Sequence, residues 1–474
     1  MGNLKQGFFW NALHQFGQFG IQFVATIILA RILIPSDFGL IGIITIFINI
    51  STMLTDSGLA GYLIKEDHVE QKDFNTLFFY NIVISSILYI ILFFVSPLIA
   101  GIYDNDKLIL LIRISSLSIL INSISIVQIT RLMRALRFKT LSIINLSSGG
   151  IALVVTIILA YSGFGVWALV FQQLIMAVFV TVFSFLYNRY VPKFEFNFSS
   201  FKSQINFGFP LLVSNLIGVI NNNIGNNIIA KISSLSSTGY YTQAQRLQNY
   251  PNLLICSIID RTIFPIFSKI GDINDLKQKA QELWLLCYAL LFPVFVLIIL
   301  NAKEIIILLL GAKWINAIWI FKLLMVSSFP SLQKVLLRNF IKSTGYTSDI
   351  FKTEVLTFII FLISMAISLI LKDYLYVIGG IILSQFFSSI YMLYLIKIRV
   401  NISALRSFLD FMIYLTISFC PYMLIMIFQL EDSFWVKNSV YVFILLILIG
   451  ALNKFTRLKE YSKFMNTFSK YYWK

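Results

Sequence analysis

Apolar stretches of about twenty residues recur from one end of the chain to the other, with no polar interval long enough for a separate water-soluble domain. A helix of that length crosses a hydrocarbon core of about 30 Å, and lipid offers no hydrogen-bond partners, so backbone inside it must satisfy itself as helix. Spans are expected at 9–33, 38–62, 75–100, 108–130, 140–161, 165–188, 206–230, 239–265, 282–302, 315–337, 353–371, 375–396, 408–429 and 434–453, about fourteen in all. The eighth is the most polar, holding Gln243, Gln245, Arg246, Gln248 and Asn249. With 58% of residues hydrophobic and 12% charged, a soluble globule could not cover its own surface with polar groups. The first span is too polar for a signal-peptide core and lacks a small-residue cleavage pattern, so it is expected to stay. Cys256, Cys287 and Cys420 lie inside apolar segments and read as small buried hydrophobes, not as a disulfide framework or a metal site.

Charge fixes the expected orientation. With the N-terminus cytoplasmic, roughly 26 basic residues fall on that side of the membrane, among them Lys65, Arg134, Lys334, Arg338, Lys342 and a basic tail from Lys454 to Lys474. Roughly 7 fall on the other: Arg31, Lys107, Lys231, Lys303, Lys313, Lys372 and Lys437. That asymmetry places both termini in the cytoplasm, and removing the eighth span scrambles it for every later loop. The net charge of +16 then reflects attraction of cytoplasmic loops to anionic headgroups, with no need for nucleic acid.

Residues 200 apart repeat. Ile28-Leu29-Ala30-Arg31-Ile32 and Gly39 fall on Ile228-Ile229-Ala230-Lys231-Ile232 and Gly239 without a gap. At an offset of 204, Asp56 meets Asp260 and Lys65 meets Lys269; the four extra residues are about one helical turn and leave the face unchanged. A repeat of six helices, an even number, gives two copies of the same orientation, related by an axis along the membrane normal. The expected architecture is an all-α integral membrane protein with two parallel-repeat six-helix lobes, 1–204 and 205–400, around a central cavity. Two further helices and a basic cytoplasmic tail follow at 401–474.

Polar residues inside the spans carry the functional signal. Gln15, Gln18 and Gln22 share one face of the first span with Asn11 and Thr26, and Asn222 and Asn226 share a face of the seventh, with Asn222 equivalent to Gln22 in the repeat. Any one amide can simply tie helices together; the paired stripes point to a wet cavity. Five cations are candidates for an anionic substrate there: Arg246 in the eighth span, Arg113 and Lys322 at similar depths of equivalent spans, and Arg31 and Lys231 at equivalent outer ends. Snorkelling to the interface is the alternative for each. Asp56 and Asp260 read as locally paired or capping groups, Glu354 as interfacial, and His14 and His68 as lacking metal-ligand company. Without a nucleotide-binding loop, a metalloprotease pair or a nucleophile elbow, no catalytic residue, metal or cofactor is expected.

Two stretches resemble a known family. Leu29-Ala30-Arg31-Ile32-Leu33-Ile34-Pro35-Ser36-Asp37-Phe38-Gly39-Leu40 with Asp56-Ser57-Gly58-Leu59, and Gly239-Tyr240-Tyr241-Thr242-Gln243-Ala244-Gln245-Arg246-Leu247 with Phe264-Pro265-Ile266-Phe267-Ser268-Lys269, are similar to the polysaccharide transporter (Wzx-like) flippases of the MOP superfamily. The likeness covers about residues 1–400 in pattern. It implies a V-shaped pair of lobes that moves undecaprenyl-diphosphate-linked oligosaccharide across the bacterial inner membrane by alternating access, with Arg246 the first choice for a diphosphate contact. Partners implied are that substrate, membrane lipids and other polysaccharide-assembly proteins. The alternatives are an ion-coupled drug exporter of the same superfamily, which would carry an acid in its first helix where this chain has amides, and a polysaccharide polymerase, which would need a large outer loop.

Overall fold

The computed structural model describes residues 2–56, 58–188, 190–193, 195–428 and 434–455. Ser57, Arg189 and the basic tail from residue 456 lie outside them, as does the side chain of Asn11. Among the described residues the regular elements are helices: α1 (Gly2–Ile32), α2 (Pro35–Asp56), α3 (Leu59–Lys65), α4 (Gln71–Ile102), α5 (Lys107–Ser115), α6 (Leu117–Arg134), α7 (Phe138–Tyr161), α8 (Val166–Tyr187), α9 (Phe198–Ile232), α10 (Leu235–Ser268), α11 (Ile273–Leu300), α12 (Ala302–Leu310), α13 (Ala317–Val326), α14 (Ser328–Ser343), α15 (Thr347–Leu371), α16 (Leu375–Val400), α17 (Ala404–Ile427) and α18 (Phe434–Phe455), with a 3-10 turn at Ala312–Trp314. Among the described residues eleven spans are long and apolar enough to cross a bilayer, α2 with α3, α5 with α6 and α13 with α14 each counting as one. Helices α9, α10 and α18 occupy the other three expected positions.

Polar caps fix where helices begin. The Asn197 side chain accepts from Ser200 N at 3.0 Å ahead of α9, Asp272 from Asp275 N at 2.9 Å ahead of α11, and Ser403 from Arg406 N at 3.3 Å ahead of α17. Two equivalent spans break at serine pairs. Ser116 Oγ donates to Ile112 O at 2.5 Å and Ser327 Oγ to Leu324 O at 2.7 Å, and such back-bonding bends a helix.

Two compact units form. One comprises Met1–Gln243, Leu309–Trp314 and Ile367–Val377; the other comprises Ala244–Leu308, Ile315–Ala366 and the chain from Ile378 onward. In the first, α1 packs on α7, α7 on α8, α6 on α4 and α8, and α2 on α9. The start of α10 also belongs to it and crosses the start of α2 with no room to spare. A Cβ on Gly39 would overlap the carbonyl oxygen of Leu235, and one on Gly239 would overlap that of Pro35. The contact is reciprocal at the repeat offset of 200, the signature of a two-fold relation between the α2 and α10 segments.

In the second unit α11 packs against α13, α14 and α17, and α17 against α18. Its centre is aromatic: Phe292 stacks on Tyr288 at 5.0 Å and meets Phe329 and Phe411 edge-on at 5.0 and 5.3 Å. The penultimate and last helices are anchored to it by polar contacts, with the single Tyr441 Oη proton within reach of either Ser418 O at 3.1 Å or Pro293 O at 3.3 Å.

Candidate functional site

At the end of the first unit where α1 finishes, three helix C-termini each receive a cation from elsewhere in the sequence. Arg31 Nε donates to Leu309 O at 3.0 Å, at the end of α12. Lys231 Nζ donates to Ile102 O at 2.8 Å, at the end of α4. Lys313 Nζ donates to Arg31 O at 2.9 Å and Leu33 O at 2.5 Å, at the end of α1. Unsatisfied carbonyls and the negative pole of the helix dipole make such ends cation sites. Arg31 and Lys231 are repeat equivalents, and each reaches into the other half of the sequence, so this is the glycine crossing's relation repeated in charge.

Trp314 packs against the end of α1 and the starts of α2 and α10. It is fully buried, donates from Nε1 to Ala30 O at 2.9 Å, and meets Phe38 and Tyr240 edge-on at 5.5 and 5.9 Å. Burial holds the Lys313 ammonium below the usual lysine range, and the Asp37 carboxylate partly offsets it.

Further along the same unit lie the amides. Asn226 is buried and accepts from Thr242 Oγ1 at 3.0 Å. Asn227 accepts from Tyr103 Oη at 2.9 Å, and Asn223 from Asn49 Nδ2 at 3.3 Å. The α9 asparagines therefore include interhelical ties to α10, to the end of α4 and to α2. The repeat-equivalent pair Gln22 and Asn222 is exposed. Gln15 is half-buried, and Gln18 turns toward α7 near Gly149, its Nε2 buried with no hydrogen-bond partner among the described residues.

Of the remaining expected cations, Arg113 lies over the Phe93 ring at 4.0 Å and donates from Nε to Ser96 Oγ at 3.1 Å and Phe93 O at 3.2 Å, which ties α5 to α4. Arg246 and Lys322 fall in the second unit, both half-buried, on α10 and α13. The structure thus gathers Arg31 and Lys231 with Lys313 in one unit's end, keeps Arg113 apart in that unit's packing, and places Arg246 and Lys322 in the other unit.

Sequence reasoning missed two sets of residues. Lys313 and Trp314 look like an ordinary outer loop, yet they plug the end of α1. Lys334 and Arg338 count only as cytoplasmic charges, yet they stand four apart on α14 and pair with Glu354 and Asp260 at 2.9 Å each. Their i, i+4 spacing within an apolar span was the available signal. Asp260 thus has a partner 78 residues away, and Glu354 is an ion-pair member rather than a plain interfacial group. Among the described residues no cluster of His, Cys, Asp and Glu is placed to hold a metal ion.

Comparison with known proteins agrees with this architecture. The chain is 27% identical over 321 residues to the succinoglycan biosynthesis transport protein ExoT of Rhizobium meliloti (strain 1021), covering 67% of this chain and 65% of that one. It is 24% identical over 324 residues to the lipopolysaccharide biosynthesis protein WzxC of Escherichia coli (strain K12), again covering 67% and 65%. It therefore spans just under two thirds of the length of these relatives. In fold it is similar to the lipid II flippase MurJ in an inward closed conformation, with TM-score 0.74, 15% identity, and 94% of this chain and 99% of that one covered. It is also similar to an inward-facing multidrug resistance MATE family transporter of the MOP superfamily, with TM-score 0.63, 13% identity, and 81% and 94% covered. Residues 28–319 match the family described as polysaccharide biosynthesis protein, and this multi-pass membrane protein belongs to that family.

Proposed function

We propose that this protein is a flippase that carries an undecaprenyl-diphosphate-linked oligosaccharide unit across the bacterial inner membrane for surface polysaccharide assembly, and that it is not an enzyme. The observation that carries the reading is the match to the polysaccharide biosynthesis protein family over 28–319, joined to a flippase-like fold along nearly the whole chain. ExoT and WzxC, by their names, serve succinoglycan transport and lipopolysaccharide biosynthesis, and the substrate class is taken over from them.

The lobes at 1–204 and 205–400 are the moving parts, with both termini cytoplasmic. The diphosphate and sugars pass through the cavity while the polyprenyl tail stays in lipid, and rocking of the lobes exposes the load on the far side. Gln22 and Asn222, the exposed repeat-equivalent amides, suit hydrogen bonding to sugar hydroxyls. Arg246 and Lys322 are the first choices for the diphosphate, followed by Arg113, whose guanidinium must leave Phe93 and Ser96 to take part. Arg31 and Lys231 hold the outer end closed through the carbonyls of Leu309 and Ile102. Helix α1 contains amides and no acid, which favours this reading over an ion-coupled drug exporter.

The test is translocation of a fluorescent undecaprenyl-diphosphate oligosaccharide in proteoliposomes, comparing the intact protein with Arg246→Ala and with Arg113→Ala combined with Lys322→Ala. Transport that collapses in well-folded variants supports the proposal. An intact protein that moves no lipid-linked sugar but exports organic cations overturns it.

A further inference from the structure

The second unit places two ion pairs on consecutive turns of one helix. Lys334 and Arg338, four residues apart on α14, share a face. Lys334 Nζ donates to Glu354 Oε2 at 2.9 Å and to Thr357 Oγ1 at 3.1 Å, both on α15. Arg338 Nη2 donates to Asp260 Oδ2 at 2.9 Å on α10, while Asn339 Nδ2 holds the other oxygen, Oδ1, at 2.7 Å. The Lys334 side chain is only 10% exposed, whereas the Arg338, Asp260 and Glu354 side chains are 30%, 34% and 43% exposed. Arg338 Nε and Asn339 Oδ1 are buried with no hydrogen-bond partner among the described residues.

As structural glue this is a poor device. A buried ion pair contributes little more than apolar side chains of the same volume, and ionisable groups inside a membrane protein mark functional sites. The contacts also have a particular form, in which each counter-ion can leave without stranding its neighbours. Lys334 keeps Thr357 if Glu354 departs, and Glu354 is exposed enough to enter water. Asn339 keeps Val335 O at 2.9 Å if Asp260 departs, and Arg338 has its unused Nε to offer. The cluster is neutral at rest, with two cations one helical turn apart that are free to change anion.

We infer that Lys334 and Arg338 receive the diphosphate of the lipid-linked substrate, and that Glu354 and Asp260 are the resident anions it displaces. This rests on the flippase reading above. A diphosphate offers several charged oxygens, for which a planar guanidinium and a compact ammonium are complementary donors. The residues lie toward the end of α14 that the charge asymmetry assigns to the cytoplasm, where the substrate is loaded.

Cys256 supplies a reporter, since it is half-buried and one turn before Asp260 on α10. With Cys287→Ser and Cys420→Ser in place, protection of Cys256 from N-ethylmaleimide is titrated with undecaprenyl diphosphate in zwitterionic nanodiscs. Lys334→Gln and Arg338→Gln are expected to weaken protection about tenfold or more, the loss of one charge-assisted contact. Arg338→Lys retains part of it. Glu354→Gln, which removes a competitor, is expected to tighten protection severalfold, a gain that misfolding cannot imitate. Weakening by Glu354→Gln and Asp260→Asn to the same degree as by the cation variants makes the cluster structural and overturns the inference, as does unchanged protection in all four. Soluble pyrophosphate is expected to compete. If it does not, and phosphatidylglycerol nanodiscs alone protect Cys256, the anion recognised is a bilayer headgroup and the inference fails. Failure of the intact protein to transport lipid-linked sugar sinks the flippase reading separately, because the pyrophosphate competition is read without transport.

Discussion

Gly39 and Gly239 each lie under the carbonyl that opens the other's helix, Gly39 under Leu235 and Gly239 under Pro35. Two hundred residues apart, they occupy one crossing, and neither has room for a methyl group. An alanine at either must push α2 and α10 apart, and overpacking of this kind costs about 1–3 kcal/mol. Gly39→Ala and Gly239→Ala are expected to lower thermal stability in detergent by similar amounts, because the contact is reciprocal. The double variant is expected to cost less than the sum, since the first methyl already opens the gap. Strict additivity would contradict a shared crossing.

The cations at the end of α1 each bond a helix-terminal carbonyl, and the proposed closing role of Arg31 and Lys231 is open to test. Lys231→Ala frees the end of α4 and Arg31→Ala the end of α12, each removing a helix-terminus interaction of about 0.3–1 kcal/mol. Both changes are expected to raise labelling of a cysteine placed at Leu235 by a membrane-impermeant maleimide, about two- to fivefold. Labelling unchanged in both variants would show that these side chains do not hold that end closed.

Much of this was legible in the sequence, and the rest was not for identifiable reasons. Each of the fourteen expected spans meets a helix, because a hydrocarbon solvent leaves the backbone one choice. The repeat was readable at Ala30-Arg31 and Ala230-Lys231 because the crossing tolerates nothing larger than glycine a few residues on. The serine breaks at Ser116 and Ser327 were hidden, since a serine inside an apolar run looks like tolerated polarity until its hydroxyl is seen bonded to the preceding turn. Trp314 was unreadable as a plug, because its partners Ala30, Phe38 and Tyr240 lie 284, 276 and 74 residues away and no local pattern encodes them. Of the expected polar face on α9, the structure separates Asn226, used between helices, from the exposed Asn222.

The last helix is held by charge. Lys437 is 3% exposed and pairs with Glu304 at 2.5 Å, and Asn438 donates to Asn301 Oδ1 at 3.0 Å. Lys437→Ala leaves the Glu304 carboxylate without its ammonium and is expected to destabilise by about 1.5–3 kcal/mol. Lys437→Met combined with Glu304→Gln is expected to recover most of that loss, because no charge is left unpaired. Limited proteolysis between α17 and α18 reads both effects, and equal protection in wild type and Lys437→Ala would show that α18 docks by apolar contact alone.

Asn222 and Asn226 stand one turn apart on α9 and are expected to fail differently when changed. The single hydroxyl proton of Thr242 serves either Asn226 Oδ1 at 3.0 Å or Thr238 O at 2.7 Å. In Asn226→Leu the hydroxyl keeps Thr238, no buried donor is stranded, and stability is expected to change by less than about 1 kcal/mol. In Thr242→Val the buried Asn226 oxygen loses its donor, and the cost is expected to be about 1–3 kcal/mol. Asn222 is exposed, so Asn222→Ala is expected to cost less stability than Thr242→Val and to reduce transport of lipid-linked oligosaccharide severalfold. Melting curves and initial transport rates on the three variants separate the roles. Transport lost in Asn226→Leu at unchanged stability would instead place Asn226 in contact with substrate and extend the cavity face one turn farther along α9.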